Sequence, residues 1–178
     1  MNKPSSLRNH LIGAVAELKN DPDRVLIFID SGNVRCTAAP SLSFEYVYEL
    51  QVILTDFAGH PDAVFLPLLA WLQVNQSELL HNLERSKEAI QFEVDVLAND
   101  KVDMSIKLPL TERVVVQRQP DGRYDLSHPE EPQYSAQTEV DGDIQVFANG
   151  ELLASWPAVA PADVLLLDMP FPPVPNRG

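Results

Sequence analysis

Residues 43–55 read SFEYVYELQVILT and alternate apolar and polar side chains more regularly than any other part of the chain. One face collects Phe44, Tyr46, Tyr48, Leu50, Val52 and Leu54. The other face collects Glu45, Glu49, Gln51 and Thr55. A period of two residues is typical of a β-strand with one buried face. The segment therefore predicts a long, half-buried strand.

Further strands are indicated on both sides of this segment. Residues 90–96 and 102–110 alternate in the same way and follow each other directly. Residues 25–30 (VLIFID) form a continuous apolar run, which predicts a strand covered on both faces. Residues 31–33 (SGN) predict a turn, and residues 34–37 are expected to return as a short strand.

Two segments have helical spacing. Leu7, Leu11 and Leu18 fall on one face of a first helix, and a second apolar helix is predicted from Pro61 to residue 80. Pro67 lies too deep for a first turn, so we expect a kink or a delayed start. Strands that follow strands predict an α+β domain, in which two main helices pack on a mostly antiparallel sheet.

The last third of the chain differs in composition. Residues 120–178 contain nine of the 15 prolines, and ten Asp and Glu against two Arg. Because proline removes a backbone donor, regular packing is hard to sustain there. We predict a folded domain over residues 1–119, an acidic proline-rich linker over 120–142, a hairpin arm over 143–157 and a flexible proline-rich tail over 158–178.

The hairpin is indicated by Asn149-Gly150, a pair that suits the positive φ values of a type I′ turn. An isolated two-stranded hairpin is marginally stable in water. We therefore expect it to pack on a neighbouring subunit, or, at close to equal weight, on its own domain.

Several classes of protein are disfavoured. The net charge of −13 argues against nucleic acid as a specific partner. No apolar run reaches the roughly 18 residues of a membrane span, so no membrane partner is expected. Cys36, the one cysteine, excludes an internal disulfide. The sequence also lacks the phosphate-binding and nucleophile motifs, and we predict neither a cofactor nor a metal.

One catalytic alternative stays open. Asp30 and Asp56 are expected at strand ends, and His60 follows closely. Carboxylates and imidazole can ligate a metal or act as a general base, so a metal-dependent hydrolase is the alternative function. Asp beside Gly is also a favoured turn former, which is the simpler interpretation.

Five short segments, in order, resemble a known family. They are Leu42-Ser43-Phe44-Glu45, Val52-Ile53-Leu54-Thr55-Asp56-Phe57, Pro67-Leu68-Leu69-Ala70-Trp71-Leu72, Leu110-Thr111-Glu112-Arg113, and Asn149-Gly150-Glu151-Leu152 followed by Ser155-Trp156. Together they resemble the tail completion protein R family of P2-type contractile-tailed phages and their prophage or tailocin relatives. The resemblance runs from about residue 3 to residue 156.

The resemblance implies a structural, non-enzymatic protein that completes the tail at its head-proximal end. The element order is also similar to that of tail terminator proteins, which cap the tube as rings, usually hexamers. The implied partners are further copies of the chain, the tail tube protein, and the sheath and neck or head-completion proteins. The protein would be made in the host cytoplasm and incorporated in a virion or a headless tailocin. An adaptor that stays monomeric until it docks is a further option.

Five residues are the candidate subunit or partner contacts. Glu45 and Glu49 lie on the polar face of the long strand. Glu112 and Arg113 are expected to leave the last strand, and Trp156 belongs to the hairpin arm.

Overall fold

The computed structural model describes residues 1–36, 41–82, 87, 89–97, 100–132 and 142–158. The helices are α1 (Lys3–Ala14), α2 (Ala16–Asn20), a short 3-10 turn (Pro22–Arg24), α3 (Asp62–Asn75) and α4 (Glu78–His81). The strands are β1 (Val25–Cys36), β2 (Phe44–Phe57), β3 (Gln91–Val96), β4 (Val102–Arg118), β5 (Tyr124–Ser127), β6 (Asp143–Ala148) and β7 (Glu151–Pro157).

Five of the strands form one antiparallel sheet. Its order is β1-β2-β4-β3, and β5 pairs with the far end of β4. Strands β6 and β7 form a separate hairpin. The α+β class with a mostly antiparallel sheet and a C-terminal hairpin is confirmed.

One end of the sheet carries the hydrophobic core. Leu50, Val52 and Leu54 of β2 lie opposite Leu108, Ile106 and Met104 of β4, and all six are fully buried. The core also takes in Leu7 and Leu11 of α1 and Leu68 and Leu72 of α3. Burying each such side chain contributes about 1.5–3 kcal/mol, so this helix-covered end is where the fold is stabilised.

The other end of the sheet continues past the core. We call residues 31–36 of β1, 44–47 of β2, 113–118 of β4 and the whole of β5 the overhang. Val114 and Val116 are buried there, but they lie outside the main core cluster. Val34 and Leu126 leave more than half of their surface exposed. The strands thus extend beyond the helices that cover the rest of the sheet.

Strand β1 differs from its prediction in two ways. The expected turn at residues 31–33 is wrong, because β1 runs on to Cys36 with a bulge between Ile29 and Ser31. Gly32 permits close strand approach, since an added Cβ would lie 3.1 Å from the Cβ of Tyr48. Cover on both faces is also wrong for this chain, because Phe28 is 46% exposed.

The helices are shorter than the sequence indicates. The first breaks at Val15, whose backbone is extended, and the second breaks at Gln76 and Ser77. Helix α3 starts at Asp62 and holds Pro67 in its interior, so the delayed start is wrong. No helix of the described chain is long and apolar enough to cross a membrane.

The hairpin packs on its own chain. Asn149 and Gly150 both have positive φ, at 51° and 85°, which confirms the type I′ turn. Strand β7 lies against α1 and α3, and Trp156 is only 8% exposed. The His10 ring meets the Trp156 ring edge-on, with centroids 6.1 Å apart. The expected docking on a neighbouring subunit is therefore wrong for the core-facing side of the hairpin, because α1 and α3 already cover it.

Part of the predicted linker is structured. Residues 124–127 form β5, which pairs with residues 115–118 of β4. Strand β5 thus lies inside the segment predicted as an acidic proline-rich linker, where the length of β4 provides an edge for it to pair with. The domain boundaries themselves stay predictions. The tail beyond Ala158 lies outside the described residues, as do residues 133–141 of the linker.

Candidate partner-binding site

A buried carboxylate marks the border between the core and the overhang. Glu112 is 4% exposed, and its Oε2 accepts a hydrogen bond from the Asn2 backbone N–H at 2.6 Å. Its Oε1 accepts a hydrogen bond from the Tyr48 hydroxyl. The prediction that Glu112 leaves the last strand is wrong, because β4 continues to Arg118 and places this residue on the helix-covered face. Glu112 thus ties the start of α1 to the sheet.

Burial and Glu112 together determine the ionisation of Tyr48. Burial is the main cause that raises the pKa of Tyr48 far above its ordinary value. The hydrogen bond to Glu112 and the charge of that carboxylate act in the same direction. The Tyr48 hydroxyl therefore stays protonated and keeps donating over the whole physiological range.

The outer edge of β4 has a gap between β3 and β5, and Gln76 fills it. The Thr111 backbone N–H donates to Gln76 Oε1 at 3.2 Å, as it would to a strand neighbour. Gln76 Nε2 donates to Thr111 Oγ1 at 3.1 Å. Pro109, two residues earlier, has no N–H to offer on this edge, so its place in the gap costs no hydrogen bond.

A lysine extends this polar network to the segment after β5. Lys3 Nζ donates to Gln76 Oε1 at 2.6 Å and to Glu131 Oε1 at 2.9 Å. Gln76 is 2% exposed, so it must be hydrogen-bonded to remain inside the protein. The network joins α1, the α3–α4 junction, β4 and Glu131.

A row of alternating charges crosses the overhang on the open face of the sheet. Arg35 lies 3.6 Å from Glu45, and Glu45 lies directly opposite Arg113 in the strand register. Arg113 Nη2 in turn lies 3.8 Å from Glu131 Oε2. We call Arg35, Glu45, Arg113 and Glu131 the charged row.

An open groove of about 250 Å³ runs beside this row. It is lined by Glu45, Ser77, Glu78, Thr111, Arg113, Glu131 and Pro132. Its walls are mostly polar and charged, so it suits the polar side chains of a protein partner better than an apolar small molecule.

The structure separates the five predicted contact residues. Glu45 and Arg113 line the groove, and Glu112 is buried at the next position of the same strand. Glu49 is exposed four residues further along β2, on the same open face as Glu45. Trp156 lies elsewhere, under the hairpin.

The sequence did not predict three members of the polar network: Gln76, Lys3 and Glu131. Gln76 interrupts what the sequence presents as one helix, and the pair Gln76-Ser77 was the available signal. Pro109 inside an alternating strand was a second signal, because proline in a strand indicates a place without a neighbour on one side. Nothing in the sequence indicates the pairing of Lys3 with Glu131.

The residues of the hydrolase alternative are not brought together. Asp30 is the bulge residue at the level of Glu49 and Leu50, whereas Asp56 lies beyond Leu54 on the next strand. About six residues of strand, roughly 20 Å, separate those levels. His60 lies 3.3 Å from Asp62 instead. Over the ranges that the structure covers, no group of three potential metal ligands forms.

The described residues thus combine an interior polar network with an exposed charged groove. A model of the P2 phage tail completion protein R (GpR) family matches residues 1–132. Tail completion protein R of Escherichia phage P2 is 40% identical over 156 residues, which are 88% of this chain and 99% of that relative. No solved structure matches the chain. The chain belongs to the P2 phage tail completion protein R family.

Family membership settles the coarse function. The chain is a structural protein of phage tail completion and is not an enzyme. It associates with other tail components and becomes part of the virion. The hydrolase alternative receives no support from the comparisons or from the placement of Asp30, Asp56 and His60.

Proposed function

We propose that this protein caps the head-proximal end of the tail tube as a ring and offers a face to the neck and head-completion proteins. Six copies are proposed by analogy with tail terminators, whose element order is similar. The tail tube protein is the first partner, and the sheath is a second. The proposal applies equally to a phage tail and to a headless tailocin.

The charged row is the observation that carries this proposal. Arg35 and Arg113 keep 67% and 49% of their side-chain surface exposed. Exposed ion pairs of this kind contribute only about 0–1 kcal/mol to folding. Complementary charges at a protein surface contribute more to the choice and orientation of a partner. The row is therefore better suited to recognition than to stability.

The position of the row supports the same function. Three of its members, Arg35, Glu45 and Arg113, lie on the overhang, where the strands pass beyond the helices and the sheet face is open. A partner can approach there without displacing the core. Glu49, on the same open face, extends this surface toward the middle of the sheet.

A deletion gives the first test. Tails assembled without this protein should have aberrant length or unfinished ends and should fail to join heads, where the system makes heads. Electron microscopy of negatively stained tails, with and without a wild-type copy supplied in trans, measures length and end structure. Normal, head-competent tails from a clean deletion would contradict the proposal.

A charge swap tests the role of the row. Glu45→Arg and Arg113→Glu each place like charges opposite one another, whereas the double variant restores an opposite pair with its polarity reversed. We expect all three proteins to melt within a few degrees of the wild type and all three to fail in trans. Rescue by the double variant would show that the row serves only its own chain.

A further inference from the structure

The outer edge of β1 is open. In the described part of the chain, β1 pairs with β2 alone, along its whole length from Val25 to Cys36. Among the contacts between described residues, only the first carbonyl, that of Val25, has another partner, the Arg8 side chain at 3.1 Å. Unpaired backbone donors and acceptors on a strand edge are a template for another strand.

The side chains of β1 point to the same conclusion. Residues 25–29 have the continuous apolar sequence of a strand covered on both faces, yet Leu26, Phe28 and Ile29 are all exposed by more than a third. Val34 is 61% exposed. The edge carries neither proline nor lysine, the usual means of blocking it, although a bulge at Asp30 interrupts it and Arg35 is charged. The sequence of β1 is thus typical of a strand with neighbours on both faces, and the described residues of one copy do not provide them.

The opposite edge of the sheet has matching properties. Strand β3 pairs only with β4 among the residues described, and Phe92, Val94 and Val96 share one exposed face. Its other face carries Glu93 and Asp95. Arg35 and Phe28 lie on the corresponding open face of β1.

Topology makes the two edges compatible. The path β1-β2-β4-β3 has four strands, each antiparallel to its neighbour, so β1 and β3 run in opposite directions. A second copy in the same orientation can therefore place its β3 beside β1 and continue the antiparallel alternation.

We infer that the outer edge of β1 binds a second copy of this chain by antiparallel addition of that copy's β3. The two edges are different surfaces, so the contact is head-to-tail and either closes into a ring or continues as a filament. This inference rests on the proposed capping function, because the strand contact alone does not decide between a closed ring and a filament. It identifies which strands would join the subunits.

The contact can be broken from either side. Phe28→Lys blocks the β1 edge, and Val96→Lys blocks the β3 edge. Both positions are exposed in one copy, at 46% and 81%, so both variants should fold. Val34→Lys is a second β1 variant in case Phe28→Lys melts early, and Leu152→Lys, on the exposed tip of the hairpin, is the matched control.

Sedimentation velocity over a concentration series measures the mass of the full-length proteins. We expect the wild type and Leu152→Lys to form the same oligomer, and each edge variant to be monomeric. An equimolar mixture of Phe28→Lys and Val96→Lys retains one intact β3 and one intact β1, so it should form a dimer and nothing larger.

Three results would overturn the inference. Self-association of Val96→Lys with loss in Phe28→Lys would indicate a symmetric β1–β1 contact. A wild type that stays monomeric up to its solubility limit would mean that the edge is covered in another way. If both edge variants form the wild-type oligomer, the strand contact is refuted, but the proposed capping ring is not. If the wild type forms the expected oligomer but does not rescue deletion tails, the capping role is refuted and the strand contact is not.

Discussion

The helix-covered end of the sheet and the overhang are built from the same strands but have opposite surroundings. At the covered end, side chains such as Leu50 and Leu108 are fully buried under α1 and α3. In the overhang, β1 is exposed on both faces and charges cross the open side. Among the described residues, buried apolar contacts are thus concentrated at one end of the sheet, and the open sheet surface lies at the other.

Matched truncations in the two regions should give the largest contrast. Leu50→Ala removes a fully buried side chain and should lower the free energy of unfolding by about 2–5 kcal/mol. Val34→Ala, in the overhang, should change it by no more than about 0.5 kcal/mol. Urea denaturation measures both. Similar losses at the two positions would show that the overhang belongs to the core.

Glu112, at the border of the two regions, should have an intermediate effect. Glu112→Ala leaves the Tyr48 hydroxyl and the Asn2 N–H without their acceptor, and should cost about 1–3 kcal/mol in the free energy of unfolding. Glu112→Gln keeps a carbonyl oxygen and should lose less. Glu45→Ala is the exposed-row control and should melt like the wild type. An unchanged melting temperature for Glu112→Ala would show that Glu112 does not stabilise the fold and would favour its original interpretation as a partner contact.

The smallest effect should be a pH dependence of the hairpin contact. Burial lowers the pKa of His10, against the opposing effect of its Nε2–H bond to the Pro67 carbonyl at 3.0 Å. The unfolded chain therefore takes up a proton near pH 6.5 more readily than the folded chain. Stability should be fully present above that pH and decline as the pH falls below it. His10→Gln should flatten the decline between pH 7 and pH 5, and an unchanged slope would show that His10 does not cause it.

Local patterns predicted much of the fold. The alternation in β2 and β4 gave the antiparallel sheet, and Asn149-Gly150 gave the hairpin turn, because each depends on neighbours in the sequence. Gly32 was misinterpreted as part of a turn because glycine serves both turns and close strand approach, and only the position of Tyr48 distinguishes the two. The family resemblance, which depends on five separated segments together, supplied the function.

The candidate site was harder to predict than the fold. Glu45 and Arg113 were predicted to be contact residues, but their alignment with Arg35 depends on a strand register that no local pattern determines. Glu112 was expected on the surface, since a carboxylate is rarely buried unless partners are provided. Those partners are Asn2 and Tyr48, which lie 110 and 64 residues away in the sequence.

Adding the purified protein back to tails made without it is the most direct test of the capping role. The full-length wild type should bind at one end of each tail, the head-proximal end, and restore head joining where heads are present. Electron microscopy of the tail ends, before and after addition, gives the fraction capped. The charge-swapped Glu45→Arg, Arg113→Glu protein should leave the ends bare. Binding along the side of the tail, or no binding with normal head joining, would contradict the account.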